Sequence, residues 1–224
     1  MSNQSTKEIV HFLHIGKTGG SAIKSVLNNN LETLKYTIKV HKHNVSIEDI
    51  PVGEKIVFFL RNPISRFVSG FYSRQRKGRP RHNAEWTVLE KEVFKYFPTP
   101  NALALAFSNT TDIEKYLLAK KAIDSIGHLS HYNYWYIDFP YFKSRENDIL
   151  FIGFQESLES DFLDLKKILK IPLEEKLPVD DIGAHRNIKG LDKNIDKNAM
   201  LTLTDWYKED IAFVKLCQKF MDSK

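Results

Sequence analysis

The chain has 224 residues, a net charge of +5 at pH 7 and 42% hydrophobic content, enough for a sizeable core and too apolar for extensive disorder. A single cysteine, Cys217, excludes an intramolecular disulfide and any cysteine-cluster metal site. The modest basic excess suits a polyanionic ligand without requiring nucleic acid.

The N-terminal MSNQSTKEIV is polar and contains no apolar segment of signal or membrane-spanning length. The expectation is a soluble, cytoplasmic protein, or one peripheral to a membrane. Residues 9–15 form a short apolar run interrupted only by His11 and His14, which are expected to be structural. The run stops at Gly16-Lys17-Thr18-Gly19-Gly20, after which Ala22, Ile23, Val26 and Leu27 recur at helical spacing. Strand, glycine turn and helix in this order leave unpaired backbone N–H groups at the positive end of a helix dipole, with a lysine beside them. Such a turn seats an anion, most often a phosphate. The usual triphosphate loop needs a glycine six residues before its lysine, and that position is His11.

Residues 34–40 are a weak strand candidate that leads into His41-Lys42-His43. After a polar turn, Ile56 to Leu60 (IVFFL) is a continuous apolar run of the kind buried on both faces of a parallel sheet. Arg61-Asn62-Pro63 ends it, and Ile64, Phe67, Val68, Phe71 and Tyr72 follow at helical spacing. Arg66 on this helix is expected to pair with a carboxylate. Residues 74–81 (RQRKGRPR) are the most basic stretch, either a solvated loop or a surface for an acidic substrate or for cofactor phosphates, with Arg74, Arg76, Arg79 and Arg81 as its substrate-binding candidates.

Residues 84–127 are expected to be helical, in pieces broken near Pro98–Pro100 and Asn109–Thr111, as an insertion beside the sheet. Residues 128–142 are aromatic-rich, and Tyr132, Tyr134, Trp135 and Tyr136 are expected in the core. Residues 148–154 (DILFIGF) and then 156–169 form a second strand-to-helix unit, and one closing helix is expected from about 199 to 220. Alternating strands and helices imply one domain over 1–224, an α/β, three-layer α/β/α fold with a mostly parallel sheet and a P-loop-like turn. Its ligand site lies at the carboxyl ends of the strands.

Three stretches now stand together: HIGKTGGSAIKSVL (14–27), HKHNVSIEDIP (41–51) and FFLRNPISRFVSGFYSR (58–74). In these the chain resembles the sulfotransferases that use 3′-phosphoadenosine 5′-phosphosulfate (PAPS). The branch it is most similar to contains the Golgi carbohydrate (heparan sulfate 2-O-like) sulfotransferases and their bacterial relatives. Gly16 departs from a proline common at this point in that family. Near the C-terminus, Tyr207 to Asp210 resembles a Tyr-x-x-Asp common in these chains.

The resemblance implies that Lys17, Thr18, Gly19, Gly20, Ser21 and Ala22 cradle the 5′-phosphosulfate, that Arg61 and Ser69 bind the 3′-phosphate, and that adenosine 3′,5′-bisphosphate is the product. Arg186 and Lys189 are expected in a basic lid over the nucleotide. Lys17 stabilises charge on the leaving oxygen, and His43, the second histidine of the His-x-His, is the expected general base, with His41 supporting or replacing it. Glu48 and Asp49 are rival bases. The acceptor is expected to be a hydroxyl of a carbohydrate, and no metal is expected. A nucleotide-dependent kinase on a related fold and a non-catalytic protein that holds an acidic polymer are the alternative readings.

Overall fold

In the computed structural model, which describes residues 7–80, 82–180 and 190–224, β1 runs from Glu8 to Leu13. It ends two residues before its apolar run does, because the Ile15 N–H turns back to the Leu13 carbonyl at 3.1 Å. The elements that follow are α1 (Gly20–Leu27), β2 (Tyr36–Val40), β3 (Lys55–Leu60), α2 (Pro63–Gln75), α3 (Val88–Tyr96), α4 (Pro100–Ser108) and α5 (Ile113–Ser125). Next come α6 (Asn133–Tyr136), α7 (Phe139–Ser144), β4 (Ile149–Phe154), α8 (Leu158–Leu169), α9 (Lys197–Trp206) and α10 (Lys208–Asp222). The chain divides into two compact units, one of residues 7–61, 133–180 and 217–224, the other of 62–80, 82–132 and 190–216.

The first unit holds a four-stranded sheet in the order β2-β1-β3-β4, every pair parallel. On one face Val10, Phe12, Ile38, Val57, Phe59 and Phe151 pack against Ile23, Val26 and Leu27 of α1 and Phe162, Leu165 and Leu169 of α8. On the other face Phe58 meets Phe142 of α7 edge-on, with ring centroids 6.5 Å apart. Helices on both faces explain why IVFFL is apolar at every position rather than at alternate ones. Arg145 after α7 ties this face to the chain before β3. It donates to the carboxylate of Asp148 at 2.6 Å and to the carbonyls of Ile47, Ile50 and Pro51 at 3.0–3.1 Å.

The second unit is helical. Asn62 caps α2 by accepting the Ile64 and Ser65 N–H groups, and Pro63 takes the first helical position, where no N–H is needed. Phe67 and Phe71 of α2 pack with Leu103 of α4, Ile123 of α5, and Leu203 and Tyr207. The expected helical stretch from 84 to 127 contains α3, α4 and α5, with breaks at the two expected places. The closing helix departs from expectation, since it is two helices that meet at Tyr207. The buried Tyr207 hydroxyl donates to the Leu129 carbonyl at 2.7 Å, and its backbone leaves helical geometry at φ −93°, ψ 20°. Of the four aromatics expected in the core, Tyr132, Trp135 and Tyr136 are buried and Tyr134 is exposed.

Candidate functional site

The turn between β1 and α1 contains two residues with left-handed backbone, Lys17 at φ 70° and Gly19 at φ 88°. Gly19 takes this conformation without steric cost, whereas a lysine does so at about 1 kcal/mol. The conformation brings the chain sharply round so that α1 starts at Gly20, with no side-chain cap on its first N–H groups. Those donors are the ones a bound anion can satisfy. Thr18 is buried, and its hydroxyl proton is already given to the Ile15 carbonyl at 2.9 Å. The hydroxyl thus serves inside the turn, and of the Thr18 donors it is the backbone N–H that is left for the expected role in the cradle. Ser21 is half-buried and Ala22 is packed into the core.

Arg61 directly follows β3, the neighbour of β1 in the sheet, and its Nη1 lies 3.4 Å from the Lys17 carbonyl. Two cationic side chains, distant in sequence, thus belong to one turn. Ser69 is buried on α2 in the second unit. Arg186 and Lys189 lie outside the described residues, as does Arg81.

The His-x-His segment follows β2 and is held against the same turn. His43 Nδ1 lies 2.7 Å from the His14 carbonyl, and the two imidazoles touch with centroids 3.9 Å apart. A carbonyl only accepts, so Nδ1 carries the proton and Nε2 of the neutral ring carries the lone pair. The His43 carbonyl accepts the Trp135 indole N–H at 2.9 Å, which fixes the main chain behind the exposed imidazole. His14 matters in a way its place in an apolar strand did not signal, for a Cβ at Gly20 would overlap its ring. Gly20 is therefore required by the imidazole, whereas Gly19 is the glycine that the turn's left-handed backbone favours.

His41 is half-buried and differently bonded. Its Nε2 meets His11 Nδ1 at 2.8 Å, and His11 Nε2 meets the carboxylate of Glu54. Burial holds both His11 and His41 below the ordinary histidine value, and for His11 it outweighs the upward pull of Glu54. The Glu54 contact is thus a neutral imidazole donating to a carboxylate rather than an ion pair. Of the rival bases, Asp49 is engaged with Ser46, whose N–H and hydroxyl lie 2.8 and 3.1 Å from its carboxylate, and Glu48 is exposed. The Trp135–His43 and Glu54–His11 contacts carried no sequence signal, because the partners lie 92 and 43 residues apart.

The described part of the basic stretch, residues 74–80, is engaged with neighbouring groups of the same unit. Arg74 holds Glu90 through two hydrogen bonds at 2.5 and 2.8 Å and reaches the Ala84 and Glu85 carbonyls. Arg76 donates to the Arg79 carbonyl, Arg79 to Asn83, and Lys77 to Glu85 while lying over the Trp86 ring. These are fold-building contacts. Arg66 likewise donates to the Ser130 carbonyl at 2.5 Å with its guanidinium 4.7 Å over the Tyr132 ring. In the Tyr-x-x-Asp, Tyr207 secures Leu129 and Asp210 accepts the Tyr132 N–H at 3.0 Å, so the motif clasps the 129–132 segment.

A family model described as "Sulfotransferase family" matches residues 3–214. The chain belongs to the sulfotransferase family. It is accordingly a transferase of sulfuryl groups, and its parallel α/β sheet is consistent with a sulfotransferase fold. The search of curated proteins and the search of solved structures each return no match. Among the described residues of this sulfotransferase, no cluster of three or more His, Cys, Asp or Glu is placed to hold a metal ion, and no helix is long and apolar enough to cross a membrane.

Proposed function

We propose that this sulfotransferase transfers the sulfuryl group of PAPS to a hydroxyl of a carbohydrate acceptor, as a member of the branch that resembles the heparan sulfate 2-O-sulfating enzymes. The observation that carries this reading is the His43 imidazole, held by its Nδ1–H on the His14 carbonyl directly beside the lysine-bearing turn. A base with a fixed tautomer next to an anion seat is the pairing that sulfuryl transfer to a hydroxyl needs.

The residues present fit the donor. The uncapped start of α1, the absence of a Cβ at Gly20, Lys17 and Arg61 together make a cationic, donor-rich cradle. When bound, PAPS supplies an activated sulfuryl group on a phosphate leaving group. Lys17 and the N–H groups of Gly19, Gly20 and Ser21 hold the negative charge of that phosphate, and Arg61 with Ser69 is assigned to the 3′-phosphate on the resemblance. His43 Nε2 takes the proton of the acceptor hydroxyl as the oxygen becomes the nucleophile. For a loose transition state of this kind, positioning and charge neutralisation supply most of the rate. The whole chain acts as one catalytic domain in this reading, with residues 84–127 as an insertion, supported by a family match that runs through both units.

The test is transfer of labelled sulfate from PAPS across glycan, lipid-linked sugar and small-alcohol acceptors, together with thermal shifts. Adenosine 3′,5′-bisphosphate is expected to raise the melting temperature and a glycan to become labelled. A shift with ATP and magnesium but none with the bisphosphate would replace this reading with a kinase. Salt-sensitive binding of an acidic polymer without transfer to any acceptor would replace it with a binding protein.

A further inference from the structure

His11 projects from the face of β1 opposite to Val10 and Phe12, which lie in the core under α1 and α8. Both of its ring nitrogens are engaged, one with Glu54 from the turn before β3 and one with His41 after β2. The two imidazoles lie 6° from coplanar with centroids 5.0 Å apart. With a nitrogen-to-nitrogen distance of 2.8 Å, that is an edge-to-edge meeting across an N–H···N bond rather than a face stack. The His41 main chain is fixed as well, its N–H donating to the Phe12 carbonyl at 3.0 Å.

The direction of each bond follows from what each group can do. A carboxylate only accepts, so His11 carries its proton on Nε2. Its Nδ1 then holds a lone pair and accepts from Nε2–H of His41, which makes Nδ1 of His41 the accepting nitrogen. A buried polar chain of this kind costs desolvation that apolar packing would avoid, and what it contributes in exchange is a unique arrangement of protons. Here the chain ends two residues before His43.

We propose that Glu54 and His11 are positioning residues of the sulfuryl-transfer site, which hold His41 in the Nε2–H tautomer and present its Nδ1 as a second acceptor of the substrate proton. The catalytic part of this rests on the PAPS reading above. A proton that arrives at His41 Nδ1 makes that ring an imidazolium, whose Nε2 proton can pass to His11 Nδ1 across the N–H···N bond, so that one positive charge is shared by the two rings. Glu54 stays a carboxylate, held below its ordinary value by the His11 hydrogen bond, and stabilises that charge through the His11 Nε2–H. The charged groups around the pair are Glu54, Lys39 and Arg145 at His11, and Lys39, Asp49 and Lys24 at His41. Among them Glu54 and Asp49 favour the protonated rings, while burial and the cations disfavour them.

Two variants test the proposal in the full chain. In ¹⁵N-histidine spectra of the wild type, His41 is expected as the Nε2–H tautomer, and in His11→Phe it is expected to become a mixture. His11→Phe is also expected to lower kcat about tenfold or more, the scale of lost histidine support, while adenosine 3′,5′-bisphosphate affinity stays near the wild-type value. Glu54→Gln removes the charge that raises His11, so the acid limb of its kcat profile is expected to move to lower pH with no loss of bisphosphate affinity. An unchanged His41 tautomer in His11→Phe overturns the proposal, as does a Glu54→Gln acid limb that coincides with the wild type. Bisphosphate binding and tautomers are read without turnover, so a wild-type protein that shows the expected tautomer but transfers no sulfate overturns the donor reading and the catalytic role with it. Should His11→Phe fail to fold, Glu54→Gln decides alone.

Discussion

The Nδ1–H of His43 is bound to the carbonyl of His14 at 2.7 Å, and the ring of His14 occupies the space that a side chain at Gly20 would need. One residue at the end of β1 therefore sets both the tautomer of the proposed base and the shape of the anion turn. The tautomer is assigned from the hydrogen-bond network, and it leaves Nε2 as the basic nitrogen of an exposed imidazole.

Replacement of His43 by alanine is expected to cut sulfate transfer about 10²-fold or more, the usual scale for a general base, while bisphosphate affinity changes little. Single-turnover transfer and calorimetric titration separate the two quantities. Turnover equal to the wild type would remove His43 from the reaction.

Lys17 allows its backbone and its amine to be tested apart. Because Lys17 stands at φ 70°, Lys17→Gly relieves the left-handed strain at the expense of a more flexible unfolded chain, and stability should stay within about 1 kcal/mol of the wild type. Lys17→Ala keeps the strain. Both variants are expected to lose bisphosphate affinity and turnover together, measured by titration and by labelled-sulfate transfer. A Lys17→Gly protein with normal turnover would limit this residue to shaping the turn.

Gly20→Ala should act through His14. The new methyl group displaces that imidazole, at an overpacking cost of about 1–3 kcal/mol, and disturbs the His43 ring in contact with it. Urea unfolding is expected to show the destabilisation, and kcat is expected to fall even at saturating PAPS. Wild-type stability in Gly20→Ala would mean that the His14 ring can move aside freely.

The second unit contains a separate titration. His131 Nδ1 lies 3.4 Å from the buried Asp210 carboxylate, and that contact raises the histidine above its ordinary value of 6.5 against the opposing effect of burial. The native state thus holds this proton more tightly than the unfolded chain. Its contribution to stability is complete below 6.5 and is lost as pH rises through the raised value. His11 and His41 have the opposite sign. Held below 6.5, they contribute above that value and the contribution is lost as pH falls through their depressed values. In melting temperatures followed upward from about pH 6.5, His131→Gln is expected to fall less than the wild type. An identical slope in both proteins would show that the Asp210 pair is not linked to folding.

The glycine turn, β3 and the α8 unit were legible because each rests on local rules, period 3.6 or a fully apolar run bounded by turn residues. The breaks in the 84–127 stretch were legible for the same reason, since proline and Asn-Thr-Thr interrupt a helix wherever they stand. The division of the closing helix at Tyr207 was not, since no proline or glycine stands there and the tyrosine is anchored to a carbonyl 78 residues earlier. The charge density of the 74–81 stretch left a solvated loop and a binding surface both open. What the sequence did not show is that Arg74 and Lys77 are held by Glu90 of α3 and by Glu85 of the segment before it.

By itself, the sequence determined the parallel α/β order, the glycine turn at Gly16 to Gly20 that is proposed to seat an anion, and the residue types proposed to serve sulfuryl transfer, all of which depend on neighbours along the chain. The tertiary structure alone decided that His43 bonds to His14 while His41 bonds to His11 and Glu54, and that the Thr18 hydroxyl is spent inside the turn. Two histidines two residues apart look alike in a sequence. Their chemistry separates only when parallel strands set each ring against a different acceptor, because a histidine's tautomer is chosen by the group it bonds.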